Sequence, residues 1–192
     1  GIHILKVIDR EEAFAYENFK KGNFNSSIYN CIDWFLDMPF SKRPLMFASY
    51  IASITQEYDT AILLCLVGLR NDSNEAGFIN NLVYSYCLKN DLDNAEKYLD
   101  QYFAKISATD ISNELRISLQ ATIGLFYLRK KEVAKGKQFY KMAIENSLIL
   151  KNNYYYNLAI INLTRELFFL KDNEYEFYLE KFKEIKTDDI DV

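Results

Sequence analysis

Apolar residues along this chain recur at helical spacing, and the pattern itself then repeats. Over 24–38 the positions Phe24, Ile28, Cys31, Ile32 and Phe35 fall three or four apart, which places them on one stripe of a helix. Shifting the sequence by 34 residues brings Phe24, Tyr58 and Leu92 together, then Ser27, Ala61 and Ala95, then Cys31, Cys65 and Leu99. Tyr16, Tyr50 and Tyr84 fall into the same register. A period of this length belongs to helix-turn-helix units that cannot bury their apolar faces alone and stack into a solenoid. The predicted fold is therefore all-α, with no sheet.

The period sets the first three units at about 8–41, 42–75 and 76–109. In the first, helices over about 8–21 and 24–38 flank the turn Gly22-Asn23, where glycine can take the left-handed conformation that ends a helix. Pro39 stops the second helix, and Pro44 suits the opening turn of the next. Helices near 44–56 and 58–71 make the second unit. The third runs from Ile79 to Tyr86, through Lys89-Asn90-Asp91, and on from Leu92 to Leu99. Ala61 and Ala95 stand where paired helices approach closely, so both are predicted to be buried, and a Leu there would cost roughly 1–3 kcal/mol of overpacking.

In the fourth unit, about 110–150, the counterparts come 41 residues later: Gly124, Tyr127, Val133, Gly136 and Tyr140 answer Val83, Tyr86, Leu92, Ala95 and Leu99. Seven extra residues are close to two helical turns and keep the same face apolar. They predict a long first helix over about 111–130, followed by one over 133–148. A last unit over 151–186, with helices at about 151–171 and 174–186, keeps the periodicity without the recurring residues, as terminal repeats do. One repeat domain over 8–186 is expected, preceded by a remnant over 1–7 and followed by an acidic tail over 187–192. The opening Gly1-Ile2-His3, without a Met, reads as the start of a fragment of a longer protein.

Composition narrows the function class. The chain has 192 residues, 49% hydrophobic and 26% charged, enough apolar material for a core. A net charge of −4 argues against a nucleic-acid partner. No apolar run approaches the roughly 20 residues that span a bilayer, so no membrane partner is expected. Cys31, Cys65 and Cys87 form no CxxC pair and read as buried free thiols of a reducing, cytoplasmic compartment. His3 is the single histidine, and no phosphate-loop, dinucleotide or HExxH pattern occurs. No catalytic residue, metal ligand or cofactor is therefore assigned. The carboxylate pairs Glu11-Glu12 and Asp188-Asp189 read as solvated, as does the basic cluster Arg129, Lys130, Lys131, Lys135, Lys137 and Lys141. Tyr154, Tyr155 and Tyr156 cannot all point inward from one helix, so at least one ring is expected to be exposed or covered by a partner.

These residues resemble the tetratricopeptide repeat family. The resemblance rests on the 34-residue period, the small residues Ala15, Ser49 and Gly124 in first helices, Tyr86 and Tyr127 later in theirs, and Ala61 and Ala95. A polar residue before an apolar one opens each second helix: Gly22-Asn23-Phe24, Glu57-Tyr58, Asp91-Leu92. The chain departs from the pattern in lacking an early bulky aromatic, in Val83 at a small-residue place, and in having only Pro39 as a terminal proline.

The resemblance implies a right-handed superhelix whose concave face, made by the first helices, takes a peptide or helix from a protein partner. On that face the sequence offers Glu12, Tyr16 and Phe19, then Arg43, Met46, Tyr50 and Ile54, then Asn80, Tyr84 and Leu88, and finally Ala121, Leu125 and Arg129. The recurring tyrosine is either a ligand-facing ladder or packing between helices. Glu12 and Tyr16 stand where a clamp for a C-terminal carboxylate would need Lys and Asn, so that subgroup is not expected. The expected function is a non-catalytic protein-binding module; the alternative is a peptide- or small-molecule-sensing domain of a larger transcription or signalling regulator.

Overall fold

The computed structural model describes residues 10–105 and 111–185; the predicted remnant over 1–7 and the acidic tail over 187–192 lie outside the described residues. Ten α-helices and no strand occur among the described residues. They are α1 (Arg10–Lys20), α2 (Phe24–Asp37), α3 (Arg43–Ile54), α4 (Tyr58–Asn71), α5 (Ala76–Leu88), α6 (Leu92–Lys105), α7 (Asn113–Arg129), α8 (Val133–Ile149), α9 (Asn153–Leu170) and α10 (Tyr175–Lys183). The second helices α2, α4, α6 and α8 start at Phe24, Tyr58, Leu92 and Val133, the positions the period predicts. Contacts divide the chain into two compact units, one up to Ser85 and one from Tyr86, with the division inside α5. In the first unit α2 packs on α1 and α3, and α3 packs on α4. In the second, α7 packs on α6, α8 and α9, and α9 packs on α8 and α10.

The repeat is written most clearly in the backbone of the turns. After α1, α3, α5 and α7 one residue is left-handed: Gly22 (φ 74°), Gln56 (φ 64°), Asn90 (φ 61°) and Lys131 (φ 67°). Their spacings are 34, 34 and 41, the period and its insertion. Each turn closes with two amide bonds back into the helix, as in Gly22 N to Phe19 O (3.0 Å) with Asn23 N to Asn18 O (2.8 Å), and Lys131 N to Leu128 O (3.0 Å) with Glu132 N to Tyr127 O (2.9 Å). This Schellman arrangement satisfies carbonyls that a helix end leaves bare. The residue before the next helix also repeats its shape, with φ, ψ of −83°, 63° at Asn23, −86°, 62° at Glu57 and −83°, 64° at Glu132.

Such turns fold each second helix back along the first. The Ser27 hydroxyl donates to the Ala15 carbonyl (2.6 Å) and Asn30 Nδ2 to Glu11 Oε2 (2.9 Å), so a step forward on α2 is a step back on α1. Ser27, Ala61 and Ala95 are all fully buried, as small residues at a close approach must be. Gly136 takes that place in α8: a Cβ there would lie 2.6 Å from Leu128 Cγ and 2.8 Å from the Leu128 backbone nitrogen. Two expectations shift. On α2 the buried set is Ser27, Ile28, Cys31 and Trp34, while Ile32 and Phe35 are half-buried, because α2 is covered by both α1 and α3. All three rings of Tyr154–Tyr156 are half-buried, with Tyr154 and Tyr155 edge to face at 5.3 Å.

Candidate functional site

In the first unit the predicted face becomes one aromatic cluster spanning α1 and α3. Tyr16 stacks on Phe47 with ring centroids 4.6 Å apart, and Phe19 sets its edge against Phe47 at 5.3 Å and Phe24 at 5.7 Å. Tyr50 joins through Phe19 at 6.4 Å. Tyr16 keeps 41% of its surface exposed; Phe19, Phe47 and Tyr50 are half-buried. Tyr16 and Tyr50 thus share one surface and pack into it at the same time. Tyr84 is half-buried on α5.

Polar groups border the cluster. The Arg43 guanidinium, at the start of α3, pairs with the Glu12 carboxylate and lies 5.1 Å over the Trp34 ring. These contacts hold Arg43 in place while its side chain stays 49% exposed. On the α3–α5 side, Asn81 Nδ2 donates to Ser49 Oγ (3.1 Å) and to Met46 Sδ (3.7 Å), and Asn80 Nδ2 donates to Asn81 Oδ1 (3.3 Å). Met46 and Asn80 are half-buried within this lattice. Six of the eight predicted residues, Tyr16, Arg43, Met46, Tyr50, Asn80 and Tyr84, therefore belong to the first unit.

The two predicted residues of the second unit, Leu125 and Arg129, are held within its packing. Leu125 is completely buried; it faces the core because α7 is packed by α6, α8 and α9 together. Arg129 makes a two-pronged bond to Glu166 on α9, at 2.6 Å and 2.9 Å, and Arg165 Nε donates to the same carboxylate at 3.0 Å. The rest of the basic cluster is engaged too. Lys130 pairs with Glu96 (2.7 Å), Lys137 with Asp172 and Glu174 (both 3.1 Å), and Lys141 with Glu174 (3.3 Å), while Lys135 sits 3.8 Å above the Tyr127 ring. Lys131 is the left-handed turn residue. An open concavity of about 450 Å³ along α8 is lined by Lys137 and Lys141, already held by acidic partners.

Phe47 and Glu166 escaped the sequence reading. Both partners carry a usable signal: Arg129 and Glu166 lie 37 residues apart, and Tyr16 and Phe47 lie about one unit apart. Polar contacts between successive repeats, within each unit, fall at separations of 31 to 37 residues, including Glu12–Arg43, Ser49–Asn81, Lys42–Glu75, Glu96–Lys130 and Lys137–Asp172. The thiols of Cys31, Cys65 and Cys87 are each pushed up to about 12 by burial, which leaves no reactive thiolate at neutral pH. Among the described residues no group of three or more His, Cys, Asp or Glu could hold a metal ion, and no helix is long and apolar enough to cross a membrane. No protein-family model matches the chain, and a search of curated proteins found no match either.

Proposed function

We propose that this chain is a tetratricopeptide-like, right-handed solenoid that binds a peptide or helix of a partner protein, without catalysis, on the face formed by its first helices. The observation that carries the reading is the aromatic cluster of Tyr16, Phe19, Phe47 and Tyr50, half-buried as a whole and open at Tyr16. Large rings with a polar tip and few rotors suit such a surface, since little freedom is lost when a partner covers them. Arg43 adds a positioned guanidinium at the edge, already aligned by Glu12 and the Trp34 ring. The recurring left-handed turn supports the repeat family, because it carries the period in backbone geometry as well as in side chains.

The test begins with a partner captured by pull-down and continues with Tyr16→Ala and Tyr50→Ala, each compared for affinity and for unfolding free energy. A ring that anchors the partner should lose about 2 kcal/mol of binding, with Tyr16→Ala leaving stability nearly intact because that ring is the more exposed. Unchanged affinity in both folded variants would make the cluster packing alone and end the proposal.

A further inference from the structure

Helix α2 is apolar on two opposite faces. Its inner face, Ser27, Ile28, Cys31 and Trp34, is buried. On the outer face Tyr29 and Leu36 are 70% and 69% exposed, seven residues apart, with Asp33 on the same stripe between them. Just beyond the helix Met38 is exposed and Phe40 fully so. Other second helices also expose apolar residues, Leu63 on α4, Phe103 on α6 and Met142, Leu148 and Ile149 on α8, but each of these helices also exposes a basic side chain, Arg70, Lys97, or Lys135 with Lys141, and α2 has none. Single exposed apolar residues are ordinary, whereas several along one face mark an interaction surface.

Charge narrows what that surface takes. Helix α2 carries two acidic side chains, Asp33 and Asp37, and no basic one. Elsewhere in the unit Glu12, Glu17 and Glu75 are matched by Arg43, Lys21 and Lys42. Asp33 and Asp37 have no such cation among the described residues. We infer that the outer face of α2 docks a basic amphipathic helix of a partner protein. Apolar side chains of that helix cover Tyr29, Leu36 and Phe40, and Lys or Arg on its shoulders meet Asp33 and Asp37. A stripe spaced at four and three residues is the surface into which the ridge of a second helix packs. None of Tyr16, Arg43 or Tyr50 takes part, so this surface is separable from the aromatic cluster on α1 and α3.

The probe is a display library of helical peptides with fixed apolar positions and flanking positions drawn freely from Lys and Glu. It is selected on the full chain and counter-selected on Leu36→Asp, with circular dichroism of each variant to show that it folds. Peptides that depend on Leu36 should be enriched in Lys and should weaken with added salt, since exposed charges are screened. They should lose roughly five- to tenfold in affinity toward the Asp33→Asn, Asp37→Asn double variant and bind Tyr50→Ala as they bind the parent. The inference is overturned if no Leu36-dependent peptide emerges, if the flanks show no preference for Lys, or if Tyr50→Ala removes binding. It is equally overturned if the free chain dimerises through this face and Leu36→Asp abolishes the dimer, because the occupant is then a second copy.

Discussion

The two units use the same kind of residue at the same kind of place to opposite ends. In the first, Arg43 pairs with Glu12 across 31 residues and remains 49% exposed beside an open tyrosine. In the second, Arg129 pairs with Glu166 across 37 residues, is 24% exposed, and its partner only 3%. Both arginines were legible as face residues of first helices. Both carboxylates are buried; what separates the pairs is how far the arginine reaches into water and how many guanidinium groups the carboxylate holds. Glu166 sits in the core of its unit with two guanidinium groups on it, so this pair holds α7 to α9. The lesson is that a repeat position has no function of its own; the residue one unit further along decides it.

Removing the Glu166 carboxylate tests this contrast most severely. Glu166→Gln leaves Arg129 without its counter-charge and should cost roughly 3 kcal/mol or more in urea unfolding, as a broken buried pair does. Glu12→Gln should cost clearly less, because Glu12 is buried but its Arg43 partner stays 49% exposed and can turn to water when the carboxylate is lost. Equal losses would erase the distinction between the two pairs. The next effect concerns packing in the second unit. Gly136→Ala should lower stability by roughly 1–3 kcal/mol, measured by thermal unfolding, because the new methyl meets the Leu128 backbone, which cannot swing aside.

A smaller change, with the opposite sign, links the two units through their shared turn. Gln56→Gly in the first and Lys131→Gly in the second should each stabilise by about 0.5–1 kcal/mol, since a side chain with β-carbon is strained at φ of 64° and 67°. Asn90→Gly should gain less, because Asn tolerates this conformation better. A loss of stability at Gln56 or Lys131 would mean that those side chains, not the turn, hold the hairpins. The smallest effect is one of pH and belongs to the second unit. Hydrogen bonding from Lys137, and then from Lys141, outweighs burial and holds the Glu174 carboxyl below its ordinary value. A carboxylate depressed in the folded state stabilises above the ordinary range, and that contribution is lost as pH falls through the folded value. Urea midpoints should therefore fall on acidification, and Lys137→Met should flatten part of that fall. An unchanged slope would remove this pair from the account.

The spacing of small and apolar residues was enough to place ten helices, to start α2, α4, α6 and α8 at the right residue, and to bury Ala61 and Ala95. Helix period and close approach are local properties, and they leave their mark on every unit in turn. The turns were only partly visible: Gly22 announced the first, while Gln56, Asn90 and Lys131 adopt the same left-handed shape without the residue that makes it easy. There the hydrogen bonds of the hairpin impose the conformation and outweigh local preference.

Of the predicted face, sequence alone brought Tyr16, Phe19 and Tyr50 to one surface, but the tertiary structure placed Phe47 in the middle of them. It also withdrew Leu125 into the core and gave Arg129 to Glu166. Those outcomes depend on which side chain arrives from a helix more than thirty residues away. A periodic pattern says that two units will touch; which atoms meet is settled only when the helices pack, since packing and charge pairing are properties of both partners at once.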